Sequence, residues 1–263
     1  MEHARAQVAG GRARRQRLHR GGHSPVHPRA AHHPPRRRRR PVPGARRGDH
    51  RPRLLVTGGL DLAALENGGR ITGCSNEFYS SPSNIIAPGL PRTMGEGWEN
   101  ARRRDDGNDW VELGLAGCGE VRLLELDTSY FLYNAPGAAE VSGCDETTSD
   151  PAVPASWFTL LERVDLRPDT RHRFVVAAPR PATRLRVDVF PDGGLARLRA
   201  HGRLTADGHE ALWVRWFNTL PRPHLRAVLE GLGMPGGRVD AVLAGRPVEK
   251  ADELPAELAD LVR

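Results

Sequence analysis

The stretch Thr183-Arg184-Leu185-Arg186-Val187-Asp188-Val189-Phe190 puts Leu185, Val187 and Val189 on one side of the chain and charged residues on the other. Alternation of this kind fits a half-buried β-strand and excludes an amphipathic helix, whose apolar positions recur about every 3.6 residues. The texture recurs from Leu54 onward, in short apolar or alternating runs broken by Gly, Pro, Asn and Asp. Val111 to Leu115 alternates and Val121 to Leu126 follows after Ala116-Gly117-Cys118-Gly119, so a strand pair joined by a turn is predicted. Arg173-Phe174-Val175-Val176 reads as another strand. Pro191-Asp192-Gly193-Gly194 leads from the 183–190 run into Leu195 to Ala200, with Asp-Gly at a hairpin position. Six or more short strands with long loops predict an all-β, antiparallel sandwich of the jelly-roll kind.

Two flanking segments do not share this pattern. Residues 1–50 hold 14 Arg, 2 acids, 7 His and 6 Pro with no Lys and no aromatic residue, so they carry +12 of the chain's +7 and leave the rest at −5. A segment with so little to bury is expected to be disordered, and residues 1–52 are set apart from the fold. A basic arm for nucleic acid would need stacking aromatics or helical spacing, which this segment lacks, so no nucleic-acid partner is expected. Arg, Pro, Gly, Ala and His without Lys are also what a GC-rich gene yields in a wrong reading frame, and the whole chain has a single lysine, Lys250. After a sandwich domain over 53–203, residues 204–263 change style again. Leu212, Trp216, Leu220, Leu225, Val228 and Leu229 stand at helix-like spacing interrupted by Pro221 and Pro223, predicting a helix, a break and a second helix, with a further short helix over 255–262.

No run approaches the roughly 20 apolar residues of a membrane-spanning helix, and the start of the chain lacks the apolar core of a signal peptide, so a cytoplasmic protein without a membrane partner is expected. Cys74, Cys118 and Cys144 are far apart and form no Cys-x-x-Cys pair, which argues for reduced thiols rather than disulfides or zinc. No ligand set for a metal stands out, no nucleophile elbow is present, and no cofactor is expected.

Chemistry concentrates in Met94 to Trp110, where three Arg stand beside five carboxylates, two Trp and three Gly. Charge runs are usually solvated faces, but Trp favours burial and Gly permits close backbone approach. The planar forks of Arg102 and Arg103 suit a carboxylate or ureido oxygen. Glu96 or Glu99 could serve as acid/base. Arg104, Asp105 and Asp106 read equally well as a structural ion-pair network. Polar residues crowd two more loops, Asn76 to Asn84 and Asp127 to Asn134, where Asp127 could simply cap a loop. Asp192 could be only a turn residue, and His172, alone before a strand, reads as structural.

The strings SNEFYSSPSNIIAPG (Ser75 to Gly89), MGEGWENARRRDDGNDW (Met94 to Trp110), LDTSYFLYNAP (Leu126 to Pro136), RHRFVV (Arg171 to Val176) and VFPDGGLARLRAHG (Val189 to Gly202) resemble allantoicase, in that family's order. The resemblance implies a galactose-binding-like jelly roll that splits allantoate with water into ureidoglycolate and urea. The chain looks like one repeat, nearer the second, of the two such enzymes carry. With that substrate in view, Glu96, Glu99 and Asp127 become the candidate catalytic residues, and Arg102, Arg103, Asp192 and Trp110 the candidate binding residues. An inactive remnant or a ligand-binding sandwich module is the rival reading. Self-association is expected if an apolar face is left uncovered.

Overall fold

The computed structural model describes residues 59–261, and side chains up to residue 258; the Arg-rich segment expected to be disordered lies outside the described residues. Eight antiparallel strands form the domain: β1 (Leu60–Asp61), β2 (Arg70–Cys74), β3 (Asp109–Asp127), β4 (Ala138–Cys144), β5 (Phe158–Asp165), β6 (Arg171–Val175), β7 (Pro181–Phe190) and β8 (Arg197–Leu204). The all-β antiparallel sandwich read from the alternation is therefore the observed fold, and its core is built as the pattern demands. Leu185, Val187 and Val189 of β7 are fully buried with Leu113, Val141, Leu124 and Leu198.

The strand pair read at 111–126 is instead one strand of 19 residues. The first half of β3 pairs with β2 and β7, the second half with β6 and β8, and its register against β7 shifts between Gly114 and Gly119. Gly117 and Gly119 are not at positive φ, so no tight turn forms there. They are small for another reason. A Cβ on Gly119 would lie 2.8 Å from both the Arg203 carbonyl oxygen and Leu62 Cδ1, so the glycine admits a neighbouring strand. The helical segment docks on this same stretch, with Arg215 donating to the Ala116 carbonyl at 2.7 Å.

The hairpin read at Asp192-Gly193 also differs. β7 pairs with β3 and β4 while β8 pairs with β1 and β3, so residues 191–196 carry the chain from one side of β3 to the other rather than between paired neighbours. Gly193 is at φ +122°, and a Cβ there would lie 2.4 Å from the backbone nitrogen of Pro136. Gly193→Ala should cost about 1–3 kcal/mol or more, through strain and clash together. Denaturant unfolding of the purified variant measures it, and an unchanged midpoint would refute the argument.

Beyond β8 lie α1 (Ala206–Thr219), α2 (Arg222–Gly231) and α3 (Gly236–Ala244), then a short 3₁₀ helix over Ala256–Leu261. Thr205 caps α1 by accepting from the Gly208 N–H at 3.0 Å. The break at Pro221 and the second helix fall where the sequence placed them; α3 was not anticipated. These helices bury a separate apolar cluster around Phe217, Leu225, Leu229, Val239 and Leu243. No helix among the described residues is long and apolar enough to cross a membrane. The three cysteines are free thiols.

Candidate functional site

Three loops meet where β3 ends: residues 75–108, residues 128–137 and the 191–196 crossover. Trp98 ties the first to the third. It is fully buried, exchanges both backbone hydrogen bonds with Leu195 at 2.8 and 3.0 Å, and its indole N–H donates to the Asn76 carbonyl at 2.8 Å. Tyr79 and Ser80 donate their backbone N–H groups to the Glu99 carbonyl, and Gly194 donates to that of Asn134. The loops thus share one hydrogen-bonded frame, and the side chains on it are placed by backbone rather than by chance.

Glu99 stands at the junction. One carboxylate oxygen accepts from Asn134 Nδ2 at 2.5 Å, and the other makes no hydrogen bond among the described residues. Glu96 is more heavily engaged. Arg92 donates to it through its backbone N–H at 2.8 Å and its guanidinium at 2.7 Å, and these bonds hold the carboxyl below the usual range. The partners separate the two glutamates by environment, a guanidinium holding Glu96 and a neutral amide holding Glu99.

The two candidate arginines also differ. Arg103 is fully committed: its guanidinium bonds Asp105 and the buried Asp109, and its backbone N–H donates to Asp192 Oδ2 at 2.7 Å. An ion-pair network does form here, but of Arg103 with Asp105 and Asp109; of the expected trio Arg104, Asp105 and Asp106, only Asp105 takes part among the described residues. Arg102 is exposed and makes no hydrogen bond or ion pair among the described residues. Asp192 holds the 100–103 segment to the crossover, and its second oxygen makes no hydrogen bond among the described residues. Asp127 is fully buried, accepting from the Ser129 N–H at 2.8 Å and from Arg171 at 3.3 Å, a loop cap as well as a carboxylate. Trp110 lies elsewhere on the domain's contacts: its ring stacks beneath Arg186 at 4.5 Å and packs over Gly73.

Several residues of the frame escaped the sequence reading. Asn100 is buried, its Oδ1 accepts from the Gly193 N–H at 2.8 Å, and its Nδ2 has no partner among the described residues. Asn134 orients Glu99. Arg197 and Arg199 alternate with Leu198 and Ala200 along β8, which reads as a solvated strand face, yet the 85–96 segment folds over them. Their guanidinium groups bond the carbonyls of Ile85, Ala87, Gly89 and Glu96. Only a long-range contact reveals such burial.

His201 follows on the same face of β8, with Asp61, Glu125, Arg173 and Arg199 around it. Burial, more than the two arginines, pushes its pKa down against the pull of the two carboxylates. Its folded value therefore lies below its unfolded value, so this contribution to stability is present above about pH 6.5 and is lost as pH falls below it. Melting temperature should drop between about pH 7 and pH 5.5, and the drop should be smaller in His201→Gln. Identical pH profiles for the two proteins would refute it.

A model of the allantoicase repeat matches residues 60–205. A protein named probable allantoicase from Nocardia farcinica is 54% identical over 154 residues, covering 58% of this chain and 45% of the relative. The allantoicase of Dictyostelium discoideum is 39% identical over 153 residues, covering 56% and 42%. The crystal structure of allantoicase from Saccharomyces cerevisiae superposes with a TM-score of 0.50 at 27% identity, covering 55% of this chain and 43% of that one. The chain spans under half the length of these relatives.

Proposed function

The chain belongs to the allantoicase family, and from that premise we propose that it hydrolyses allantoate to ureidoglycolate and urea. The observation that carries the reading is Glu99, a carboxylate with one oxygen held by Asn134 and the other unbonded among the described residues, on a frame fixed by Trp98. The substrate's central carbon bears a carboxylate and two ureido groups. Cleavage breaks the bond from that carbon to one ureido nitrogen, which must take up a proton, and water must lose one as its oxygen bonds to the carbon. Glu99 fits both transfers, as acid to the leaving nitrogen and as base toward the water. Glu96, kept ionised by Arg92, supports the positive charge that develops on the carbon as the bond breaks.

Arg102 offers the substrate carboxylate an uncommitted guanidinium. Asp192, through the oxygen that makes no hydrogen bond among the described residues, is the proposed acceptor for a ureido N–H group, and the buried Asp127 holds the neighbouring strand end in place. Arg103 supports the loop from behind, and Trp110 has its support only in the matching motif. We place the enzyme in the cytoplasm, in keeping with its free thiols. Exposed Phe78, Tyr79 and Tyr133 on the same loops suit self-association of copies.

The test is urea release from allantoate by the purified chain, with and without divalent metal and chelator. Turnover is expected. A folded, soluble sample that releases no urea in any condition would overturn the proposal in favour of a non-catalytic sandwich module.

A further inference from the structure

Arg197 has only 4% of its surface exposed, and the hydrogen bonds of its guanidinium all go to neutral carbonyls: Gly89 at 3.1 Å, Glu96 at 2.6 Å and Ala196 at 2.7 Å. Nη2 makes no hydrogen bond among the described residues, and the nearest carboxylate oxygen, Glu96 Oε2, stands 4.0 Å from it. A buried cation without a close anion is costly, because carbonyl dipoles replace lost hydration but do not neutralise charge. Glu96 does not neutralise it alone, since Arg92 holds the same carboxylate at 2.7 Å. The adjoining ion pairs join Arg199 to Asp61, and Arg171 and Arg173 to Glu125 and Asp127. Among these described arginines, Arg92, Arg171, Arg173 and Arg199 each have a carboxylate oxygen within 3.4 Å, whereas Arg197, the most buried of them, has none closer than 4.0 Å.

We propose that the Nη2 edge of Arg197 is a receptor for a small carboxylate and, resting on the allantoate reading above, that it binds the carboxylate of that substrate. Glu96 is partly open to solvent, so a ligand reaching Nη2 enters beside it, with Arg92 screening the repulsion from the far side. The contact complements exposed Arg102: charge pairing at a surface is weak, whereas the same pairing in a desolvated cradle discriminates strongly between charged and neutral ligands. Arg197 in this role determines specificity for an anionic substrate over a neutral diurea.

The decisive experiment measures binding of allantoate and of methylenediurea, which has both ureido groups but no carboxylate, to the full chain and to Arg197→Lys. Lysine keeps the charge but loses the second nitrogen edge. Allantoate affinity should fall at least about tenfold, with KM rising more than kcat falls, while methylenediurea binding stays unchanged. Unchanged allantoate affinity, or equal losses for both probes, would overturn the proposal by making Arg197 purely structural. If the variant fails to fold, phenylglyoxal labelling of the unaltered chain decides the matter. Protection of the Arg197 peptide by allantoate and not by methylenediurea supports the receptor, and absence of protection refutes it. Allantoate bound through Arg197 without urea release would sink the hydrolase reading and leave this site standing.

Discussion

Glu99→Gln should lower kcat for allantoate about 10²–10⁴-fold while leaving KM near its original value, because the substitution removes the ionisable proton carrier and almost nothing else. Glutamine is close in shape, and its carbonyl oxygen can still accept from Asn134. The backbone at position 99, which receives Tyr79 and Ser80, is untouched. A loss of rate without a loss of fold therefore reports the chemistry of the carboxyl group. Steady-state urea release, with circular dichroism as the check on folding, is the measurement. Full activity in the variant would remove Glu99 from the mechanism and pass the acid/base role to Glu96, despite the hold that Arg92 has on it.

Trp98→Ala should destabilise the domain by about 3–5 kcal/mol, the range for truncating a large buried aromatic. Two further losses push toward the upper end. The side chain is fully enclosed, so its removal leaves a cavity between the first loop and the crossover, and the Asn76 carbonyl loses its indole donor. Trp98→Phe should recover most of this, retaining the packing and forfeiting about 1 kcal/mol for the hydrogen bond. Chemical denaturation of both variants gives the comparison. If alanine and phenylalanine cost the same, the indole hydrogen bond rather than the packed ring is what matters. Because residues 96 and 99 flank this position, activity should fall in Trp98→Ala below the temperature at which it unfolds.

The particular strands and motifs show where a sequence carries its structure openly. The face of Leu185, Val187 and Val189 was legible because burial on one side writes itself as alternation. Gly117 and Gly119 were misread, since a glycine required for a tight turn and a glycine required for close approach look alike in one dimension. The Asp192-Gly193 pair was misread for a related reason: Gly193 does take a positive φ, but the chain only bends there and the strands it joins pair with others. Helix α3 begins Gly236-Gly237 and is nine residues long, too short and too glycine-rich for a periodic signal. In the site, Glu96, Glu99, Arg102 and Arg103 could be picked out as chemistry-bearing. Their separation into a pinned carboxylate, a less engaged one, an exposed cation and a structural one depends on Arg92, Asn134 and Asp109, which contact geometry alone supplies. Arg197 was hidden most completely, because covering a polar strand face is the work of a loop over a hundred positions away.

Strand β3 joins two groups of strands, serving as the neighbour of β2 and β7 in its first half and of β6 and β8 in its second. Neither group can then open while the other stays intact, since each would have to release the same backbone. Amide protons along both halves should exchange with solvent at a common slow rate set by global unfolding, rather than in two separable groups. The three loops of the site hang from the ends of that shared strand and its partners, so their geometry persists for as long as the entire sandwich does.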